Sequence, residues 1–162
     1  MLSGNPDTFA IWCDPVESWS TSKFQNGCLG FFIGGKLICS TRSTLGVDLH
    51  GLSLLHCMSN AVEDGLLLNL ASIDAYRTLC ERAFPSIDSE ADTNDFSHLV
   101  SAESLSDEGH YVFLVEGSGQ AKLIYGFKDD LQSVYEIVVG LGEFQSVVRD
   151  VLGKSKPAQI NS

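Results

Sequence analysis

Long apolar runs are missing from this sequence, and nothing in it approaches the roughly 18 uninterrupted apolar residues of a membrane helix. The first residues, Met1-Leu-Ser-Gly-Asn-Pro-Asp7, hold neither a basic stretch nor an apolar one, so no cleaved secretion signal is expected. The cysteines show no CxxC spacing and cannot all pair, because there are five: Cys13, Cys28, Cys39, Cys57 and Cys80. A disulfide framework is therefore not expected. Free cysteine behaves as a small buried hydrophobe, and Ile11-Trp12-Cys13 and Leu37-Ile38-Cys39 lie in apolar runs, so core thiols in a reducing cytoplasm are the expectation. The 4 Pro and 15 Gly are scattered without a period, which excludes collagen-like repeats. With 44% hydrophobic and 19% charged residues the chain is not of the disordered class. What remains, at 162 residues, is one cytoplasmic globular domain able to bury a sizeable core.

Positive charge is missing where negative charge accumulates. Residues 1–42 balance, as do 122–162, whereas residues 43–121 carry thirteen acids against Arg77 and Arg82 alone, so the whole net charge of −11 falls there. From Ala83 to Ala121 there is no lysine or arginine. Such a stretch repels phosphate backbones and anionic lipid, so neither nucleic acid nor membrane is an expected partner. It attracts basic proteins; acids that merely keep the protein soluble are the plainer alternative.

Local patterns give the architecture. Thr8-Phe-Ala-Ile-Trp-Cys13 reads as a strand between prolines. Residues 28–33 and 36–39 flank Gly34-Gly35, a tight hairpin signal. Alternation over Ser43–Leu49 predicts a third antiparallel strand. Apolar spacing predicts helices over Leu52–Val62 and Ser72–Phe84, the second with Ser72 as N-cap, Arg82 in its last turn and Pro85 as its stop. An acidic loop follows to residue 95. Residues 110–116 and 121–127 form a second hairpin around Gly117-Ser-Gly-Gln120, then comes a strand over Ser133–Val139. A helix from Glu143 to Leu152 is closed by Gly153. The expected fold is α+β: a single domain (1–153, with 154–162 a frayed tail), mainly an antiparallel sheet built from hairpins with two to three helices packed on it.

Catalytic signatures are absent. The four histidines form no HExxH pair and no zinc pattern with the cysteines. Asp88-x-Glu90-x-Asp92 resembles the opening of a calcium loop, but Thr93 stands where its glycine belongs and Leu99 where its last glutamate does. No GxSxG, GxxxxGK[ST] or GxGxxG occurs, so no catalytic, metal or cofactor site is expected. A small enzyme using Asp107, Glu108 and His110 around a cleft, or an adaptor domain, is the alternative. The favoured reading is a recognition surface in which the acids Asp88, Glu90, Asp92, Asp95, Glu103, Asp107 and Glu108 face a partner, with Trp19 as an exposed aromatic anchor. Trp19 folded back onto the sheet is the plainer reading for that residue.

Gly4-Asn-Pro-Asp-Thr-Phe-Ala-Ile-Trp-Cys-Asp14, residues 24–36 (Phe-Gln-Asn-Gly-Cys-Leu-Gly-Phe-Phe-Ile-Gly-Gly-Lys), Ser43–Leu49, Ala83-Phe-Pro85 and residues 99–116 resemble the Immunity protein 42 family of polymorphic toxin systems, over most of residues 4–150. These motifs are structural rather than catalytic. The resemblance implies a cognate antitoxin, which binds and neutralises a toxin domain made by the same cell. Many such toxins are basic nucleases, so it also implies a basic partner whose substrate charge an acidic surface would mimic. The family transfers no binding residues position by position.

Overall fold

The computed structural model describes residues 1–90 and 93–156. Its first sheet is an antiparallel meander of β1 (Leu2–Asn5), β2 (Phe9–Pro15), β3 (Asn26–Ile33) and β4 (Lys36–Thr44) in sequential order. Gly34 and Gly35, at φ 58° and 83°, make the left-handed two-residue turn that suits the twist of the β3–β4 hairpin, with Ile33 opposite Lys36. The second sheet is β5 (His110–Gly117), β6 (Gln120–Phe127) and β7 (Asp130–Gly140), again sequential and antiparallel. Its first turn contains only Ser118 and Gly119, since Gly117 pairs with Gln120.

Among the described residues there are five α-helices: α1 (Leu45–Ser53), α2 (Gly65–Asn69), α3 (Ser72–Ala83), α4 (Glu103–Asp107) and α5 (Glu143–Ser155). The α+β class and the hairpin-built antiparallel sheets match expectation. Three helices have nine or more residues; α2 and α4 are single turns of 5 residues each. The antiparallel strands are divided between two sheets.

Strands β5 and β6 of the second sheet are buried on both faces, which explains the unbroken apolar run Val112-Phe-Leu-Val115. One face, with Val112, Leu114 and Leu123, joins a core shared with the first sheet, α1 and α5. There Phe9 stacks on Phe144 at 4.9 Å and meets Phe31 edge-on at 5.3 Å. The opposite face, with Phe113, Val115 and Ile124, packs on α2 and α3 through Leu67, Leu68, Tyr76 and Leu79. Helix α5 lies against β1 and β2 and is tied to the first strand by Lys154, whose Nζ donates to Leu2 O at 3.1 Å and Ser3 Oγ at 3.2 Å.

Several expectations are corrected. Residues 43–49 are not a strand: β4 ends at Thr44 and α1 begins at Leu45, because Leu45, Leu49 and Leu52 recur at helical spacing and all enter the core. Nor do residues 52–62 form one helix. Helix α1 stops at Ser53, a 3-10 turn spans His56–Met58, and Val62 is extended, its N–H donating to Glu116 Oε1 and its carbonyl accepting from Glu116 N. Ser72 is the first residue of α3, and Ala71 takes the cap position. Gly153 does not close α5, which runs on to Ser155. Residues 157–162 of the expected tail lie outside the described residues.

The thiols are free but not all buried. Along β4 the pleat turns Ile38 and Ser40 inward and Cys39 into solvent. Desolvation pushes the Cys13 thiol up to about 11 and the Cys57 thiol up to about 12. Iodoacetamide at about pH 8 should therefore modify Cys39 well before Cys13 or Cys57. Peptide mapping of the early adduct checks this, and first labelling at Cys57 would contradict the packing described.

Candidate functional site

The acidic residues hang mainly from the connection between α3 and β5. Helix α3 buries Ala75, Tyr76, Leu79 and Ala83 and ends at Ala83, with Phe84 in the cap position before Pro85. The chain returns to that end: Asn94 Nδ2 donates to Ala83 O at 3.0 Å and Asp95 N donates to Arg82 O at 2.8 Å, satisfying carbonyls that the last turn leaves open. It then runs along β5, where Leu99 bridges Phe113 and Val100 N donates to Val112 O at 2.8 Å. Helix α4 follows, against β4 and β5. One connection thus carries both the loop acids and the α4 acids.

Asp88, Glu90 and Asp95 are exposed in the loop, and Glu103 and Asp107 are exposed at the two ends of α4. Asp95 accepts from Ser97 N at 2.9 Å and Ser97 Oγ at 2.6 Å, and these bonds hold its carboxyl below the usual range. Glu108 is half-buried and accepts from Ser40 Oγ at 2.8 Å. Asp92 lies outside the described residues. Trp19 is not folded away: it closes the 3-10 turn Glu17–Trp19 on the β2–β3 connection and remains 48% exposed.

Two acids of the central segment that charge counting treats like the rest are buried. Asp48 on α1 accepts from Ser43 Oγ, from Ser104 N at 3.0 Å and from Ser104 Oγ at 2.6 Å, tying α1 to β4 and α4. Glu116 accepts from Val62 N at 3.1 Å and fixes the extended chain before α2 to the end of β5. Both act as internal acceptors, whereas the exposed acids of the 84–109 connection face outward, as do Glu63, Asp74 and Glu81 of the same segment. Elsewhere in the segment Asp64 caps α2 by accepting from Leu67 N at 3.0 Å, with Arg82 at 3.5 Å, which together keep its carboxyl low.

The residues of the enzymatic alternative serve separate contacts. His110 Nδ1 lies 2.9 Å from the Tyr125 hydroxyl, Glu108 is engaged by Ser40, and Asp107 faces solvent. Burial lowers the His110 pKa, with Glu108 opposing. Among the described residues no group of three or more His, Cys, Asp or Glu is placed to hold a metal, and no helix is long and apolar enough to cross a membrane.

A cleft of about 630 Å³ opens beside the end of α3, lined by Cys80, Phe84, Tyr111 and Leu131 among others. Sequence reasoning missed it, having placed Phe84 within the apolar-patterned helix Ser72–Phe84. Burial at Tyr76, Leu79 and Ala83 leaves Phe84 turned outward, and the aromatic pair bracketing the acidic run, Phe84 and Phe96, was the available signal.

The type of this small α+β domain is set by comparison. The chain belongs to the Immunity protein 42 family, whose model matches residues 1–154. Among solved structures it is similar to CdiI from Burkholderia dolosa AUO158, at 68% identity and a TM-score of 0.93, covering 96% of this chain and 100% of that one. A comparison with curated proteins finds no match.

Proposed function

We propose that this immunity protein acts in the cytoplasm as a stoichiometric, non-catalytic antitoxin, binding a basic cognate toxin domain directly through the acidic face of the 84–109 connection. The family membership and the similarity to CdiI support the immunity role. The face rests on one observation: Asp88, Glu90, Asp95, Glu103 and Asp107 are all exposed on a stretch without lysine or arginine, and no ion pair among the described residues engages them. Uncompensated charge of one sign raises the encounter rate with a partner of the other sign. A nuclease domain, basic because it grips phosphate, is the class of toxin that such a face fits.

Association with the cognate toxin domain should accordingly slow steeply as salt rises. Reversing Asp88 and Glu90 together should cut the low-salt on-rate by about three- to tenfold, while reversing Asp130 should matter less. Each exposed pair adds only about 0.2–1 kcal/mol to affinity, so the effect belongs mainly to the rate. Stopped-flow mixing at low and high salt reads both quantities. An on-rate indifferent to salt would remove the acidic face from the mechanism.

A further inference from the structure

Charge steers an encounter, but the strength of a small interface comes from a few aromatic anchors at its centre. The acidic connection holds such a group. Phe84 is 41% exposed and Phe96 49% exposed, and Ile87 between them is fully exposed. The Phe84 ring lies 4.7 Å from that of Tyr111 and 5.9 Å from that of Phe96. These rings do not dangle from a loose loop, because Asn94 and Asp95 are bonded to the last turn of α3 and Tyr111 belongs to β5. The surface is therefore largely formed before a partner arrives, which lowers the ordering cost of binding. The 630 Å³ cleft opens beside it, lined by Phe84 and Tyr111 and, at its rim, by both acids and bases: Glu81 and Asp129, Arg77 and Lys128.

The chemistry around the rings selects an occupant. Asp88, Glu90 and Asp95 lie in the loop that joins Phe84 to Phe96. A purely apolar ligand leaves these carboxylates unused, and a nucleic acid or anionic lipid is repelled by them. An arginine or lysine side chain suits both parts, with its aliphatic stem along the rings and its cation beside the carboxylates. The other exposed aromatic group lacks this match. Trp19 and Phe24 belong to the β2–β3 connection of the first sheet, and the groove at Phe24 is lined by Lys23 and His50 with no carboxylate among its lining residues.

We propose that the aromatic group Phe84, Phe96 and Tyr111 is the hot spot for the cognate toxin domain and receives an arginine- or lysine-bearing segment of it; this rests on the reading that the chain neutralises a basic toxin. The acids then attract, and the rings hold. Loss of a ring should raise the off-rate, whereas loss of a loop acid should lower the on-rate.

The probe is the cognate toxin domain, made catalytically inactive and immobilised for binding kinetics. Wild-type protein, Phe84→Ala, Phe96→Ser and Trp19→Ala are compared, with melting curves confirming that each variant is folded. If Phe84→Ala lowers the melting temperature, Phe96→Ser with Ile87→Ser, both at exposed positions, carries the comparison. The expected result is at least about a tenfold loss of affinity in the Phe84 and Phe96 variants, expressed in the off-rate, and less than about threefold for Trp19→Ala. Wild-type binding that survives both phenylalanine substitutions within about twofold, or that is lost in Trp19→Ala instead, overturns the hot spot and leaves the antitoxin reading standing. Failure of the wild-type protein to bind the toxin domain overturns the antitoxin reading itself.

Discussion

Replacing Asp48 by alanine should destabilise the protein by about 3 kcal/mol, a large part of the ~5–15 kcal/mol that holds a domain of this kind together. The reason is what the substitution strands. Ser43 Oγ, Ser104 N and Ser104 Oγ all donate to the Asp48 carboxylate, at a site 2% exposed to solvent. Each donor left buried without an acceptor costs about 1–3 kcal/mol, partly recovered where a hydroxyl turns to another acceptor. Asp48→Asn should cost less, about 1–2 kcal/mol, since its amide oxygen can still accept from Ser104 N. Reversal of the exposed Glu103, on the adjoining α4, should shift stability by less than about 0.5 kcal/mol. Urea titrations of the three variants give the comparison. A loss under about 1 kcal/mol in Asp48→Ala would show that the bonds joining α1, β4 and α4 contribute little.

A second large effect is expected at Gly126. A methyl group built there meets Tyr76 Cζ at 2.2 Å and Cε2 at 2.3 Å, closer than any real contact. The tyrosine cannot easily withdraw: its ring is 1% exposed, and its hydroxyl donates to Lys128 O at 2.5 Å. Gly126→Ala should therefore cost about 3 kcal/mol through overpacking, with α3 pushed off the second sheet. The attribution has an internal check. In a Tyr76→Leu background the same glycine substitution should cost less than about 1 kcal/mol, giving a coupling of about 2 kcal/mol between the two sites. Additive losses would mean that Gly126 is required for a backbone reason and not for the ring above it.

Elements bounded by turn chemistry were legible from the residues alone. Gly34-Gly35 and Ser118-Gly119 each separate two apolar runs, and both hairpins occur where those signals put them. Helix α3 was legible because Pro85 stops it. Residues 43–62 were misread because the pattern Thr44-Leu-Gly-Val-Asp-Leu49 satisfies a two-residue period as well as a helical one, and only tertiary burial of Leu45, Leu49 and Leu52 decides between them. Strand β1 is a four-residue edge strand with one buried side chain, Ser3, and α2 and α4 are too short to establish a period.

The candidate site divides in the same way. Its charge was visible as a count, but burial was not. Asp48 and Glu116 are the buried carboxylates of the central segment, whereas Glu103 and Asp107 face solvent. The aromatic group escaped because Phe84, Phe96 and Tyr111 are distant in the sequence and meet only when the loop end is bonded back onto α3.

The docking of α5 on β1 and β2 sets when protection can begin. Phe144, Val147, Val148 and Val151 fill a core whose other wall is the first strands of the chain, and Lys154 reaches back to Leu2 and Ser3. The ribosome makes β1 and β2 long before α5, so the emerging chain carries Phe9 and Phe31 without the helix that covers them. Closing so long a loop is slow, and the uncovered sheet is exposed to aggregation while it waits. A nascent chain is therefore no antidote. Immunity lags synthesis by the time the last helix needs to find the first strands.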